Sequence, residues 1–164
     1  MISKSCIVLA IALLIAASPL ACATEPNESG NWAAIEALTR KFLRAFENLD
    51  MPQFIDCFAD NATVFFPLPE PPKRVDGKQA IQKRFEQVFA SIRGTAKSGP
   101  PFHHLAPEDL AIQMMPGQTA VVSFHLRNSE RFARRTLVLI NTNGRWLILH
   151  LHASNAPIEA KSGR

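Results

Sequence analysis

The side chains best suited to chemistry in this sequence are five histidines in its second half: His103, His104, His125, His150 and His152. An imidazole group titrates near neutral pH, so it can donate or accept a proton as a general acid or base. His150 and His152 alternate along a predicted strand, which places them on one face and about 7 Å apart. We take these two as the candidate catalytic residues. The alternative is that they hydrogen-bond to neighbours and shape a pocket without chemistry.

Three arginines are candidates for holding an anionic ligand, because a guanidinium can bind a carboxylate through two parallel hydrogen bonds. They are Arg127, Arg134 and Arg135. Adjacent strand residues face opposite ways, so only one of Arg134 and Arg135 can face a cavity. The alternative for these side chains is solvated charge at the edge of a sheet. We take as the candidate ligand-binding residues His125, Arg135, Trp146 and Trp32.

Metal binding and cysteine chemistry are not indicated. Alternating histidines can chelate, but no aspartate, glutamate or cysteine recurs at ligand spacing around them, so we predict no metal site and no cofactor. Cys57 lies within the apolar stretch Phe54-Ile55-Asp56-Cys57-Phe58. We expect it to be a buried small hydrophobic residue and not a nucleophile.

Residues 1–23 predict a secretory signal peptide. A positive start ends at Lys4, an apolar run covers residues 6–17, and Ala21-Cys22-Ala23 offers small residues at the cleavage positions. We therefore expect an exported protein, either periplasmic or secreted. The alternatives are a retained membrane anchor, for which the apolar run is short, and lipidation at Cys22.

Charge, hydropathy and cysteine count exclude several features of the mature chain. The formal net charge of +4 falls to +3 when Lys4 leaves with the leader, and the basic residues form no stripe interleaved with aromatic ones. Nucleic-acid binding is therefore not expected, and no segment after the leader predicts a membrane span. One cysteine is left, which cannot form an internal disulfide.

The first half of the mature chain predicts three helices and two strands. Apolar residues recur there at three- and four-residue steps, and Asp50-Met51-Pro52 supplies a cap and a tolerated first-turn proline. The predicted elements are a helix after Asn31, a short helix from Pro52, a strand at 62–66, an edge strand at 73–75 and a third helix ending at Gly94.

The second half predicts four consecutive strands, because the apolar period changes to two after Pro101. Asn143-Gly144 is the strongest hairpin signal, since both residues tolerate the positive φ of a type I′ turn. Segregated helices followed by a meander of strands are typical of the α+β class. The predicted strands cover residues 102–115 with a kink, 119–127, 134–141 and 145–154.

The last predicted strand has two different faces. One face is wholly apolar, and the other carries Trp146, Ile148, His150, His152 and Ser154. Two faces suited to burial indicate that one covers helices and a cavity while the other meets a partner, most simply a second copy of the chain. We therefore predict a homodimer through the outer face of the sheet.

Four pieces of sequence carry a resemblance to a known family: Trp32, Phe58–Val64, Asp76–Lys78 and Arg145–Ser154. With the order of elements, they resemble the SnoaL-like branch of the nuclear transport factor 2-like superfamily over residues 31–155. The resemblance implies an α+β cone, in which a curved antiparallel sheet wraps around three helices and leaves a cavity. Residues 24–30 and 156–164 are expected to be a disordered lead-in and a flexible tail.

The resemblance does not imply one activity, since the superfamily includes polyketide cyclases, ketosteroid isomerases, dehydratases and non-enzymatic domains. Isomerase-like members use a tyrosine to stabilise an oxyanion, and this chain has no tyrosine. SnoaL-like cyclases use an aspartate as general acid or base, and no aspartate lies within the predicted strands; Asp60 lies at a predicted turn, where aspartate is favoured for backbone reasons.

We therefore predict an exported protein whose histidine-lined cavity binds a small, largely apolar molecule. Two alternatives stay open. One is an isomerase-, cyclase- or dehydratase-type enzyme that uses His150 or His152 as its acid or base. The other is a non-catalytic dimeric assembly module.

Overall fold

The computed structural model describes residues 28–67, 74–127 and 131–157, apart from the side chains of Glu28 and Arg131. The predicted signal peptide therefore lies outside the described residues, as do residues 24–27 and 158–164. Within the described ranges the elements are α1 (Glu28–Glu47), α2 (Met51–Ile55), β1 (Phe58–Phe65), β2 (Arg74–Asp76), α3 (Lys78–Thr95), β3 (Glu108–Met115), β4 (Thr119–Arg127), β5 (Arg131–Thr142) and β6 (Arg145–Pro157).

The helices begin where the local chemistry favours it. The carboxylate of Asp50 accepts a hydrogen bond from the backbone N–H of Gln53 at 3.1 Å and so caps α2, and Pro52 lies in its first turn. Gly77 precedes α3 with a φ of +87°, a left-handed conformation that glycine adopts without strain. The predicted cap at Asp50 is thus confirmed.

Six strands form one curved, open sheet in the order β2-β1-β6-β5-β4-β3. The neighbouring pairs are antiparallel, as predicted, except that β1 runs parallel to β6. A parallel pair needs a long crossover, and here β2, α3 and the β3–β5 meander lie between the two strands. The Asn143-Gly144 turn between β5 and β6 has φ values of 53° and 80°, as a type I′ turn requires.

Several boundaries differ from the sequence prediction. Strand β1 begins at Phe58 and not at residue 62, so Asp60 of the predicted turn belongs to that strand, and β5 begins at Arg131. Residues 102–106 pair with no strand of the described chain, since β3 begins only at Glu108, after Pro107. Helix α1 begins at Glu28, so residues 28–30 of the expected lead-in are helical. Strand β6 extends to Pro157, because its end pairs with Arg131 and Phe132 at the start of β5.

A β-bulge in β6 decides which side chains face inward. Leu139 pairs with Ile148, but the preceding Val138 pairs with His150, so Leu149 is an extra residue without a partner in β5. Because side chains alternate along a strand, one extra residue exchanges the two faces beyond it. The prediction that Trp146, Ile148, His150 and His152 share one face was therefore wrong.

The core lies between the inner face of the sheet and the three helices. Phe54 of α2 is at its centre with no exposed surface. Its ring lies within 6 Å of five other phenylalanine rings, which come from both longer helices and from β1: Phe42, Phe46, Phe58, Phe85 and Phe89. Such tilted and edge-on aromatic pairs add to the free energy of burial, so α2 holds α1 and α3 against the sheet.

Candidate functional site

An inner cavity of about 190 Å³ lies between the helices and the inner face of the sheet. Its walls come from α1, α3, the end of β1 and strands β4 to β6. Twelve of the thirteen described residues that line it are apolar, and the exception is Arg135. The apolar lining is Phe42, Leu43, Phe46, Val64, Phe66, Pro67, Phe85, Val88, Leu105, Leu126, Leu151 and Ala153.

A larger vestibule of about 530 Å³ adjoins the inner cavity, and five residues line both: Phe46, Val88, Leu105, Leu126 and Arg135. The remaining lining of the vestibule is more polar and includes His103, His104, Arg127 and Asn155. A deep apolar space behind a polar opening is the usual form of a small-molecule site.

The loop before β3 forms one wall of the vestibule, and α1 holds it in place. The Glu47 carboxylate accepts a hydrogen bond from the backbone N–H of Leu105 at 2.6 Å, and the Glu47 carbonyl accepts another from Phe102 at 2.8 Å. The His103 ring lies 6.0 Å from the Phe46 ring. These contacts fix Leu105 at the junction of the two spaces.

Arg135 of β5 faces inward, whereas Arg134 is exposed on the opposite face, near the Phe132 ring. The sequence prediction that only one of this pair enters the cavity is confirmed. The Arg135 guanidinium donates to the carbonyl of Ser154 at 3.1 Å and to the side-chain oxygen of Asn155 at 3.4 Å. Burial lowers its pKa below the usual value of a guanidinium.

His150 and His152 lie on the outer face of the sheet and line neither the inner cavity nor the vestibule. The bulge at Leu149 is the reason. Nδ1 of His150 lies 2.6 Å from the Thr63 hydroxyl, and both rings pack near Phe65. Burial lowers the pKa of His150, as do the neighbouring His152 and Arg74. A catalytic role for either histidine stays a prediction, and its substrate would have to bind on this outer face.

The other predicted ligand-binding residues are also outside the two spaces. His125 lies on the outer face, 3.3 Å from the Asp109 carboxylate and stacked near Phe132. Trp146 is buried in the core and donates to the Asn31 side chain at 3.4 Å. Trp32 is exposed on α1. Of the six predicted site residues, only Arg135 lines either space.

Several lining residues were missed by the sequence prediction. His103 and His104 were recognised as histidines but placed in a strand, and Leu105 and Asn155 were not singled out. Alternation along the strand places Asn155 on the same face as Ala153, two residues earlier. That this face points inward depends on the position of the bulge, which the sequence did not show.

The surroundings of Cys57 and Asp60, two other residues considered for chemistry, do not favour a reactive role. Cys57 is buried, as predicted, and burial raises its thiol pKa to about 11, which disfavours the reactive thiolate. The Asp60 side chain is fully exposed, and among the described residues it forms an ion pair with Lys78 at 3.7 Å. Within the described ranges, no group of three potential metal ligands occurs. No helix there is long and apolar enough to cross a membrane.

The curved open sheet, the three helices and the cavity between them define an α+β cone of the nuclear transport factor 2-like type. The sequence profile of the SnoaL-like domain family matches residues 35–159, and the chain belongs to that family. No curated protein matches the chain.

Solved structures share the fold at low sequence identity. An NTF2-like protein of unknown function from Pseudomonas putida has a TM-score of 0.65 at 20% identity, over 83% of this chain and 93% of that one. A cystatin-like fold protein from Burkholderia xenovorans has a TM-score of 0.62 at 15% identity, over 80% of this chain and 96% of that one. A protein from Streptomyces avermitilis, provisionally assigned as a dehydratase of the NTF2-like family, has a TM-score of 0.61 at 14% identity, over 80% of this chain and 99% of that one. These likenesses establish the fold alone.

Proposed function

We propose that this SnoaL-like protein binds a small, largely apolar molecule in the inner cavity. The observation that carries the proposal is an open space of about 190 Å³ whose described lining is apolar except for one arginine. A cavity of about 150 Å³ with apolar walls accommodates benzene, so this one fits a ligand with an apolar part of about one aromatic ring.

Binding is favoured over acid/base catalysis by the composition of the lining. None of the described residues around the inner cavity is an aspartate, glutamate, histidine or cysteine. A general acid or base must lie within hydrogen-bond reach of the proton that it moves. An enzyme would therefore have to work in the vestibule or on the outer face, and a turnover assay on small carbonyl and lactone compounds with His150→Ala and His152→Ala tests the latter.

An experiment with neutral probes tests the binding proposal. Indole and 3-phenylpropan-1-ol are titrated into wild-type protein, Ala153→Phe and Ala111→Phe, with affinities measured by calorimetry. Ala153 lines the inner cavity, so the new ring occupies that space, whereas Ala111 is exposed on β3 and serves as the matched control. We expect Ala153→Phe to weaken binding about tenfold or more and the control to retain it. Equal binding by both variants, or no binding by wild type, would contradict the proposal.

We propose further that a second copy of the chain covers the outer face of the sheet. Aliphatic side chains lie opposite one another there, Val121 with Val138 and Ile140 with Leu147, and all four are only half-buried in the single chain. Contiguous apolar surface of this kind is typical of protein interfaces. Light scattering at micromolar concentration should give a dimer for wild type and a monomer for Val138→Arg. A wild-type monomer would remove this proposal.

Export stays part of the proposal, and its support is the sequence of residues 1–23. Mass spectrometry of the N-terminus of the protein recovered from its host should find Thr24 as the first residue. A chain that begins at Cys22 and carries lipid would indicate an anchored lipoprotein instead.

A further inference from the structure

Arg135 is the one charged side chain among the described residues that line the inner cavity. It also lines the vestibule, so its guanidinium lies where the apolar space meets the polar opening. A charge beside an apolar cavity is costly unless it is paired. The residues around Arg135 therefore show whether the folded chain supplies a partner of opposite charge.

Among the described residues, the hydrogen-bond partners of Arg135 are all neutral. Nη1 of Arg135 donates to the carbonyls of Arg134 at 2.8 Å and Ser154 at 3.1 Å, and more weakly to the Asn155 side-chain oxygen at 3.4 Å. No carboxylate of the described residues lies within salt-bridge distance of it. By contrast, Arg127, which lines only the vestibule, pairs with Glu108 at 3.3 Å.

The unused donors lie on one edge of the guanidinium. Among the described residues Nε has no acceptor, and Nη2 has only Asn155 at 3.5 Å. Nε and Nη2 together form the side-on fork that binds a carboxylate through two parallel hydrogen bonds. Every buried side-chain nitrogen or oxygen of the described residues has a partner, so Nε, which has none, is not buried, and the residue that carries it lines both spaces.

We infer that Arg135 binds the carboxylate of a small apolar monocarboxylic acid whose hydrocarbon part fills the inner cavity. The inference rests on the proposed function and names its ligand class. A single guanidinium, with no second cation among the described residues of the inner lining, balances one negative charge, which matches a carboxylate better than a doubly charged phosphate ester. The volume limits the hydrocarbon part to about one aromatic ring or a chain of similar bulk.

The test compares an acid with its neutral isostere. Binding of 3-phenylpropionate and 3-phenylpropanamide is measured by calorimetry at pH 7 and low salt for wild type, Arg135→Met and Arg134→Met. Arg134→Met is the matched control, since it removes the neighbouring arginine from the opposite, exposed face. We expect wild type to prefer the acid about tenfold or more, because hydrogen bonds to charged groups are the stronger ones. Arg135→Met should lose this preference, and Arg134→Met should keep it.

Each outcome decides something. If wild type binds the amide as tightly as the acid, the inference is overturned while the cavity proposal stands. If neither compound binds, the cavity proposal falls as well. Equal loss of the preference in both variants would also overturn the inference, since a general positive field would then explain it. The acid–amide comparison in wild-type protein needs no variant, so it decides the matter even if Arg135→Met does not fold.

Discussion

Arg135 of β5 lies directly opposite Ala153 of β6, and both side chains line the inner cavity. A residue as small as alanine beside the arginine leaves room for a ligand next to the guanidinium. This pairing depends on the bulge at Leu149, which turns Ala153 inward and His152 outward. One unpaired residue in β6 therefore keeps His150 and His152 off the face that lines the cavity.

Replacing Phe54 by alanine should destabilise the protein by about 3–5 kcal/mol, because the ring is fully buried among five others. Urea denaturation followed by circular dichroism measures the loss. Phe132→Ala is the control, since Phe132 is only half-buried at the start of β5, and its loss should be clearly smaller. A loss at Phe54 no larger than at Phe132 would show that α2 does not hold the core.

Asp56 should make stability depend on acid pH. Hydrogen bonds from Lys41 and Arg145 lower the pKa of this carboxyl from 3.8 to about 2. A carboxyl with a lowered folded-state pKa contributes stability above its unfolded pKa and loses that contribution as the pH falls towards 2. Because all three side chains are partly exposed, the contribution is about 1 kcal/mol or less.

Asp56→Asn should therefore lower the melting temperature at pH 6 by a few degrees and by roughly half as much at pH 3, because the contribution is lost completely only as the pH falls to about 2 and below. Asp60→Asn, at a fully exposed carboxylate, is the matched control and should change little at either pH. A deficit in Asp56→Asn that stays constant from pH 6 to pH 3 would contradict the assignment.

His150 should make stability fall on mild acidification. Its pKa is lowered below the ordinary 6.5 by burial and by the neighbouring His152 and Arg74, so below pH 6.5 the unfolded chain binds more protons at this site than the folded one. Stability therefore falls as the pH drops through and below that value. His150→Gln should flatten the melting temperature between pH 7 and pH 5.5, while His104→Gln, at an exposed ring, should not. The same slope in all three proteins would refute the prediction.

The sequence predicted the element types well because the local signals were strong. Helical spacing, the Asp50-Met51-Pro52 cap and the Asn143-Gly144 turn are all local, and each corresponds to an element or turn of the fold. The resemblance to SnoaL-like proteins added the cone, which local signals do not define. The parallel pairing of β1 with β6 could not be derived, because it depends on the tertiary path of the chain.

The side chains that line the cavity were predicted less well than the elements, for a related reason. The position of a bulge depends on pairing across strands, here Val138 with His150 and Leu139 with Ile148, and alternation along β6 alone does not reveal it. That only one of Arg134 and Arg135 faces inward could be predicted, because the exclusion between adjacent strand residues needs no knowledge of the bulge, although it does not decide which of the two that is. The proposed role of Arg135 depends on its having no carboxylate partner among the described residues, and only the folded chain reveals this.

The most direct test of ligand binding in the inner cavity is to locate a bound probe by nuclear Overhauser effects. 3-Phenylpropionate is added to methyl-labelled protein, and contacts from its ring protons to methyl groups are recorded. Binding in the inner cavity predicts contacts to Val64, Val88 and Leu151, which line it. Contacts to Val121 and Val138 on the outer face of the sheet, with none to the cavity methyls, would contradict it.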